Sequence, residues 1–369
     1  MYSKKLKLGN MVAKLPIIQG GMGVGISMAS LSSSVANEGG IGVISTAGIG
    51  MFETDFVNNF LEANMRALRK EIKKAREMTK GLLGVNIMTA LSNFSDLVKT
   101  AVEEGIDVII SGAGLPLNLP QFLNGSKKTK LVPIVSSARA ANIIAKRWTE
   151  KYDYPPDAVI VEGPKAGGHL GFKEEQIDDE NYSLENLIPE VINEVKAFEE
   201  KYERAIPVIA AGGIYTGEDI HKFLDMGAAG VQMATRFVTT EECDASIEFK
   251  NAYINSESSD ITIIKSPVGL PGRAIKNSFI DKVRNGGKHP FKCPFHCIRT
   301  CDYTNSPYCI ALALMNAQKG NLVDGFAFAG TNAYRAKKII PIKELFKSLL
   351  DEYSKASAGH KPAGGIVTE

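Results

Sequence analysis

The stretch "DAVIVEGPKAGGHLGF" (residues 157–172) joins two kinds of chain. Ala158 to Val161 is short and wholly apolar. Behind it come an acid, a lysine, three glycines and His169, one of only five histidines in the sequence. A run that is apolar on both faces reads as a strand buried on both sides. The polar and glycine residues then mark its C-terminal end. The same pattern recurs in "LPIIQGGMG" (15–23), "GIGVISTAG" (40–48), "GLLGVNIMT" (81–89), "DVIISGAG" (107–114), "KLVPIVSS" (130–137), "IPVIAAGGI" (206–214) and "AGVQMATRF" (229–237). With the opening stretch, that makes eight units within roughly 240 residues, the size of a (β/α)8 barrel. A doubly wound open sheet is the rival. The barrel is favoured because the repeat stops at eight and the polar residues gather at strand C-terminal ends.

Segments of helical length lie between these runs, among them 94–104, 138–149, 184–202 and 217–226. A long basic segment, "FVNNFLEANMRALRKEIKKAREMTKG" (56–81), reads as an extended surface helix with a solvated face. The barrel is assigned to residues 11–240. Residues 241–350 exceed what one closing helix requires, so an appended helical subdomain or lid carrying the cysteines is expected there. Residues 351–369 read as a flexible tail.

Composition narrows the function classes. The chain has 369 residues, 44% of them hydrophobic and 23% charged, with a net charge of +2. That balance argues against general nucleic-acid binding, which needs a basic excess. No apolar run reaches the length of a membrane helix, and Lys14, Gln19, Gly20 and Gly21 interrupt any signal-like core at the N-terminus. The reading is a cytoplasmic protein acting on a small molecule, compatible with a homo-oligomer.

In such barrels the active site lies at the C-terminal rim, and a phosphate often binds the loops after strands seven and eight. Here those loops carry Gly212-Gly213 and Ala234-Thr235. The glycine pair can bring backbone N–H groups close to a ligand, and Thr235 adds a hydroxyl. A helix beginning near Gly217 would add the positive end of its dipole. A simple turn is the plainer alternative for the glycines. On the first strand, "QGGMG" (19–23) lets backbone pack against a flat ring. Asn86 ends strand three with a group that both donates and accepts, which suits a flavin pyrimidine edge or merely closes a turn. His169 stands over the barrel mouth, where an imidazole can take a proton from a substrate or hydrogen-bond to an anionic one.

The pieces "PIIQGGMG", "GVNIM", "VEGPKAGGHLGF", "PVIAAGGI", "GAAGVQMATRFVTTEECDA" and "SPVGLPGRAIKN" resemble the nitronate monooxygenases (2-nitropropane dioxygenase-like enzymes) and the related FMN-dependent enoyl-[acyl-carrier-protein] reductases. The resemblance spans about residues 11–280. It implies FMN as cofactor, with Gly20, Gly21 and Met22 against the ring system and Asn86 binding it. It also implies that Gly167, Gly168, Gly212 and Gly213 line the cofactor and that Gln232, Met233, Ala234 and Thr235 help hold the phosphate. His169 matches the catalytic histidine, which positions a nitronate or acts as a base on a nitroalkane. One departure is Lys165, where the family often has Glu or Gln.

Beyond the eighth strand, "CPFHCIRTCDYTNSPYC" (293–309) places Cys293, Cys297, Cys301 and Cys309 in a C-x3-C-x3-C-x7-C spacing. Thiolates this dense can hold an Fe–S cluster or zinc, although the spacing matches neither common zinc knuckles nor common ferredoxin runs. A helix over 293–301 would stack three of them on one face. A core of reduced thiols is the alternative. Arg273, Lys276, Lys282, Arg284, Lys288, Lys292 and Arg299 face only Asp281 across 273–299, a surface that could steer an acidic partner such as acyl carrier protein.

The first reading is therefore an FMN oxidoreductase of nitronate monooxygenase type, oxidising anionic nitronates with O2. The second is an NAD(P)H-dependent enoyl-[acyl-carrier-protein] reductase. The third is an electron-transfer flavoprotein whose cysteines hold an Fe–S cluster.

Overall fold

The computed structural model describes residues 4–289, 292–293 and 296–359. Eight parallel strands close on themselves: β1 (Ile17–Gln19), β2 (Ile41–Ser45), β3 (Leu82–Met88), β4 (Val108–Gly112), β5 (Lys130–Val135), β6 (Val159–Glu162), β7 (Val208–Ala211) and β8 (Gly230–Met233). Strand β8 pairs back onto β1 through Val231 with Ile17 and Met233 with Gln19. The barrel expected from the eight repeats is the observed fold.

The apolar runs are explained by two separate cores. Ile18, Ile41, Val43, Val108, Ile110, Ile160 and Ile209 point inward and pack together. Their neighbours Ile17, Ile44, Ile109, Val159, Val161 and Ala210 point outward, into the layer shared with the helices. Alternate residues thus fill different cores, and both sets must be apolar. A hairpin of Leu6–Leu8 and Met11–Ala13 plugs the N-terminal end of the barrel, and Leu6, Leu8 and Ala13 join the inner core.

The outer ring contains α1 (Ala29–Asn37), α2 (Phe60–Met78), α3 (Phe94–Glu103), α4 (Ala138–Tyr152), α5 (Leu184–Tyr202) and α6 (Gly217–Asp225). The basic segment is α2; it buries Ala63, Ala67, Leu68 and Ile72 and turns its charges outward, where Arg69 pairs with Glu103 and Glu104. Between β4 and β5 only a 3-10 turn (Leu119–Leu123) takes the helical place.

After β8 come α7 (Thr235–Val238), α8 (Ile247–Ile254), α9 (Ser278–Arg284), α10 (Ile310–Gln318) and α11 (Ile342–Gly359). Two sequence expectations change here. The extension is not purely helical: strands Ile261–Lys265 and Pro271–Ile275 form an antiparallel hairpin that pairs with Gly168–His169. The boundary expected at 351 falls inside α11, which buries Ile342, Leu345, Phe346 and Leu349 and lies against α6. Helix α11 is the outer-ring helix that follows β8, reached after a detour of about a hundred residues into the extension. The remainder of the expected tail, 360–369, lies outside the described residues. Among the described residues no helix is long and apolar enough to cross a membrane.

Candidate active site

The C-terminal rim opens into a cavity of about 520 Å3. Every residue singled out for cofactor or catalysis lines it. The β1 loop contributes Gly20, Gly21 and Met22, and β3 contributes Asn86. The β6 loop contributes Gly167, Gly168 and His169, and the β7 loop Gly212 and Gly213. Gln232, Met233, Ala234 and Thr235 come from β8 and the turn after it.

The β1 loop is set by Gln19, which is fully buried. Its Oε1 accepts from Val43 N at 2.9 Å and its Nε2 donates to Ser27 Oγ at 3.0 Å. Gly21 lies so close to the Asn86 side chain that a Cβ on Gly21 would come within 2.5 Å of Asn86 Cβ. The glycine therefore allows β1 and the Asn86 amide to share one wall of the cavity. Gly167 answers a second demand as well. A Cβ there would meet the backbone of Ala329 and Gly330 at 2.5 Å, so it also makes room for a strap of chain. Gly168 has φ +80° and open space where its Cβ would be.

The strap, residues 326–332, is a second wall that the strand count did not reveal. Gly330 N donates to Thr235 Oγ1 at 3.1 Å, which leaves the Thr235 hydroxyl hydrogen to donate elsewhere. Asn332 Nδ2 donates to Gly213 O at 2.7 Å, and Thr331 N donates to Lys165 O at 3.2 Å. Lys165 lines the cavity on its exposed side.

The N-terminus of α6 does not serve as expected. Thr216 and Asp219 form a reciprocal capping box, Asp219 also accepts from Tyr215 N at 2.8 Å, and Gly217 N donates to Glu352 Oε2 at 2.8 Å. Carboxylates of the chain already occupy the positive end of the helix.

His169 is held from three sides. Its Nε2 lies 2.7 Å from Ser266 Oγ, and its ring meets Phe328 edge-on at 5.0 Å. Its backbone pairs with Gly272 in the hairpin. Burial pushes the imidazole down to about 4, so the ring is neutral across the physiological range. Arg273, counted in the sequence as part of a basic surface, is instead buried. Its Nη1 donates to Pro164 O at 2.5 Å and to Ala166 O at 2.7 Å, clamping the loop that leads to His169. Lys276 lies 3.9 Å from Asp281, and Arg284 donates to Thr262 Oγ1 at 2.6 Å and Ile263 O at 2.8 Å, which further thins that surface.

Sequence reasoning passed over Glu162 except as an acid at a strand end. It faces the cavity one pairing step from Ala211, which also pairs with Gln232. Burial pushes its carboxyl up to about 7. Ser266, Arg273 and the strap were hidden for one reason: they lie about a hundred residues or more from the loop they serve.

Among the cysteines, Cys297 lines the same cavity. Burial pushes its thiol up to about 12, and the other three thiols add to the rise. The described residues of 292–301 contain no helix, so the one-face stacking expected for a helical 293–301 is not observed. All five cysteines are free, and among the described residues no group of three or more His, Cys, Asp or Glu side chains is gathered to hold a metal ion.

A parallel barrel whose rim combines glycine loops, a strap and a half-buried neutral histidine defines a cofactor-dependent TIM-barrel enzyme. The nitronate monooxygenase family model matches residues 4–352, and the chain belongs to that family. It is an FMN-dependent oxidoreductase. A probable nitronate monooxygenase of Staphylococcus saprophyticus is 28% identical over 304 residues, covering 74% of this chain and 79% of that protein. A (3aS,4S,5R,7aS)-5-hydroxy-7a-methyl-1-oxo-octahydro-1H-indene-4-carboxyl-CoA dehydrogenase of Mycobacterium tuberculosis is 29% identical over 277 residues, covering 74% of this chain and 66% of that one. The solved structure of FabK from Thermotoga maritima is similar with a TM-score of 0.74 and 27% identity, over 94% of this chain and 95% of that one.

The residues present fit FMN. Gln232 Oε1 is buried at the cavity wall with no hydrogen-bond partner, which a donor on a bound group would satisfy. Open space above Gly168 leaves room for a planar ring beside His169.

Proposed function

We propose that this enzyme oxidises anionic nitronates, with O2 as the electron acceptor, in the cytoplasm. The observation that carries the reading is the state of His169. The buried Ser266 hydroxyl already accepts from Val268 N at 3.4 Å and lies 2.7 Å from Nε2, and we assign its hydrogen to that nitrogen. A neutral imidazole that accepts at Nε2 carries its proton on Nδ1. His169 then has a donor to offer and no vacant basic nitrogen. That suits a substrate that is already an anion, and it disfavours proton abstraction from a neutral nitroalkane.

Gly20 to Met22 and Asn86 would hold the flavin ring, and Gly212, Gly213 and Gln232 to Thr235 would hold the ribityl phosphate. When bound, FMN supplies the redox chemistry, accepting electrons from the substrate. Around it, His169 Nδ1–H orients the anion, Arg273 fixes the loop that carries His169, and the strap covers the loops after β6, β7 and β8. Glu162, poised near neutrality in the same cavity, is the group able to take up or release a proton during turnover.

A second reading, the NAD(P)H-dependent enoyl-[acyl-carrier-protein] reductase, is favoured by one observation. Beyond the glycine loops the cavity wall is apolar, with Met51, Phe56, Leu91, Ile310 and Leu314, more than a small nitronate needs. The likeness to FabK supports it as well.

Anaerobic stopped-flow absorbance separates the two. Bleaching of the flavin by propyl nitronate alone is expected. Bleaching by NADH or NADPH, with none by the nitronate, overturns the first reading in favour of the second.

A further inference from the structure

We propose that Cys293, Cys297, Cys301 and Cys309 bind a [4Fe–4S] cluster in the wall of the flavin cavity. The sequence brings four of the five cysteines into 17 residues, and Cys297 lies near enough to the other three for each of them to act on its thiol. His296 links two of them, since its backbone N–H donates to Cys293 Sγ at 3.2 Å and its Nε2 lies 3.1 Å from Cys301 O. The other two share an apolar nest: Cys297 and Cys309 both pack against the small core that contains Val24, Met51, Phe56 and Ala311. The segment is clipped to the loop after β3 by Ser92 N donating to Cys297 O at 3.1 Å and Arg299 N donating to Ala90 O at 3.0 Å.

Two features distinguish this from a core of reduced thiols. Cys293, Cys297, Cys301 and Cys309 are each only partly buried, whereas Cys243, the cysteine outside the group, is 4% exposed and behaves as an ordinary core residue. One sulfur already accepts a backbone N–H, the interaction that stabilises cluster sulfurs.

Iron–sulfur and zinc need different spreads of sulfur. A single zinc draws four sulfurs to about 2.3 Å from one point. Among the described residues no such gathering exists. A cubane, whose thiolates bind four separate corners, needs a wider spread. The assembled cluster with its four thiolates is an anion, and Lys288, Lys292 and Arg299 in the same segment take part in no ion pair among the described residues. The cavity lined by Cys297 is the one assigned to FMN, so the cluster would stand beside a second redox group.

The test is analysis of the full chain, purified without oxygen and then reconstituted with ferrous iron and sulfide. About four iron and four acid-labile sulfide per chain are expected, with an electron paramagnetic resonance signal after dithionite reduction that flavin cannot give. Cys293→Ser and Cys301→Ser should each lose most of the iron and sulfide while keeping FMN. Stoichiometric zinc without sulfide, a disulfide among the four cysteines, or iron retained in both variants would each overturn the proposal. Because the assay counts iron and sulfide, its result is independent of whether nitronates are the substrate.

Discussion

The two ends of the barrel treat buried polar groups in opposite ways. At the N-terminal end, Asp157 is fully buried and fully used: it accepts from Leu131 N at 2.8 Å, from the Tyr154 hydroxyl, and pairs with Arg204. Asp107 likewise accepts from Leu83 N at 2.9 Å and from Arg76. At the C-terminal end, Glu162 has no cation beside it among the described residues, and its carboxyl is pushed up to about 7. His169 is pushed down to about 4, and Gln232 Oε1 has no partner. Buried polar groups are normally satisfied because leaving them unpaired is costly. A closed end whose carboxylates are fully paired, set against a rim that leaves Gln232 Oε1 without a partner and Glu162 without a cation, marks the rim as the end suited to ligands. Stability is concentrated where the hairpin plugs the barrel, and chemistry where the strap covers it.

The largest effect should come from breaking the closed end. Asp157→Ala leaves a buried N–H unpaired and Arg204 without its acid, and should destabilise the protein by about 3 kcal/mol. Thermal unfolding should drop by several degrees, with kcat at 25 °C and FMN content unchanged. A parallel loss of kcat would show that the two ends are not independent. Next comes the open end itself. His169→Ala should lower turnover by about 10²–10³-fold, the usual worth of a positioned donor or acid–base group. Retained FMN and a retained melting temperature would separate this loss from misfolding, and unchanged turnover would remove His169 from the chemistry.

The same contrast explains what could be read from the sequence. The barrel was legible because each strand serves two cores: Val159 and Val161 face outward while Ile160 faces inward, and the result is an unbroken apolar run. The glycine loops were legible because they directly follow those runs. The supports of His169 were not. Ser266 and Arg273 arrive on a hairpin from the extension, and Arg273 reads as surface charge until its two carbonyl partners are seen. Gly167 suggested closeness to a cofactor but not its closeness to the backbone of Ala329 and Gly330, a contact across more than 150 residues. Local pattern announces strands and turns; it carries no signal for a distant segment folding over them. The capping of α6 by Glu352, 135 residues away, has no local signal for the same reason.

Smaller effects sharpen the picture of the open end. Ser266→Ala removes the hydroxyl that fixes the His169 ring, and a loss of about tenfold in kcat is expected for a misoriented donor. The 15N shifts of the His169 ring should move in the same variant, from an Nδ1–H form toward a mixture of the two neutral tautomers. A purely structural role for Ser266 would lower the melting temperature and leave those shifts in place.

The subtlest change lies in how the cavity responds to pH. Glu162 titrates from an ordinary value of 4.5 in the unfolded chain to about 7 in the fold, because burial penalises its charged form. The folded state therefore takes up a proton as pH falls through 7, while the unfolded chain waits until 4.5. Stability rises as pH drops from 7 to 4.5, and above 7 the buried carboxylate is a cost. His169 opposes this over part of the range. Its folded value of about 4 lies below the ordinary 6.5, so stability falls as pH drops from 6.5 toward 4. Glu162→Gln removes one of the two and leaves the other. The variant should melt higher than the parent above pH 7, with the difference shrinking as pH falls. Its kcat profile should also lose the inflection near 7 that a group titrating there imposes. An inflection that survives in the variant would assign the titration to the substrate or to another group, and Glu162 would then be a bystander in an otherwise unsatisfied rim.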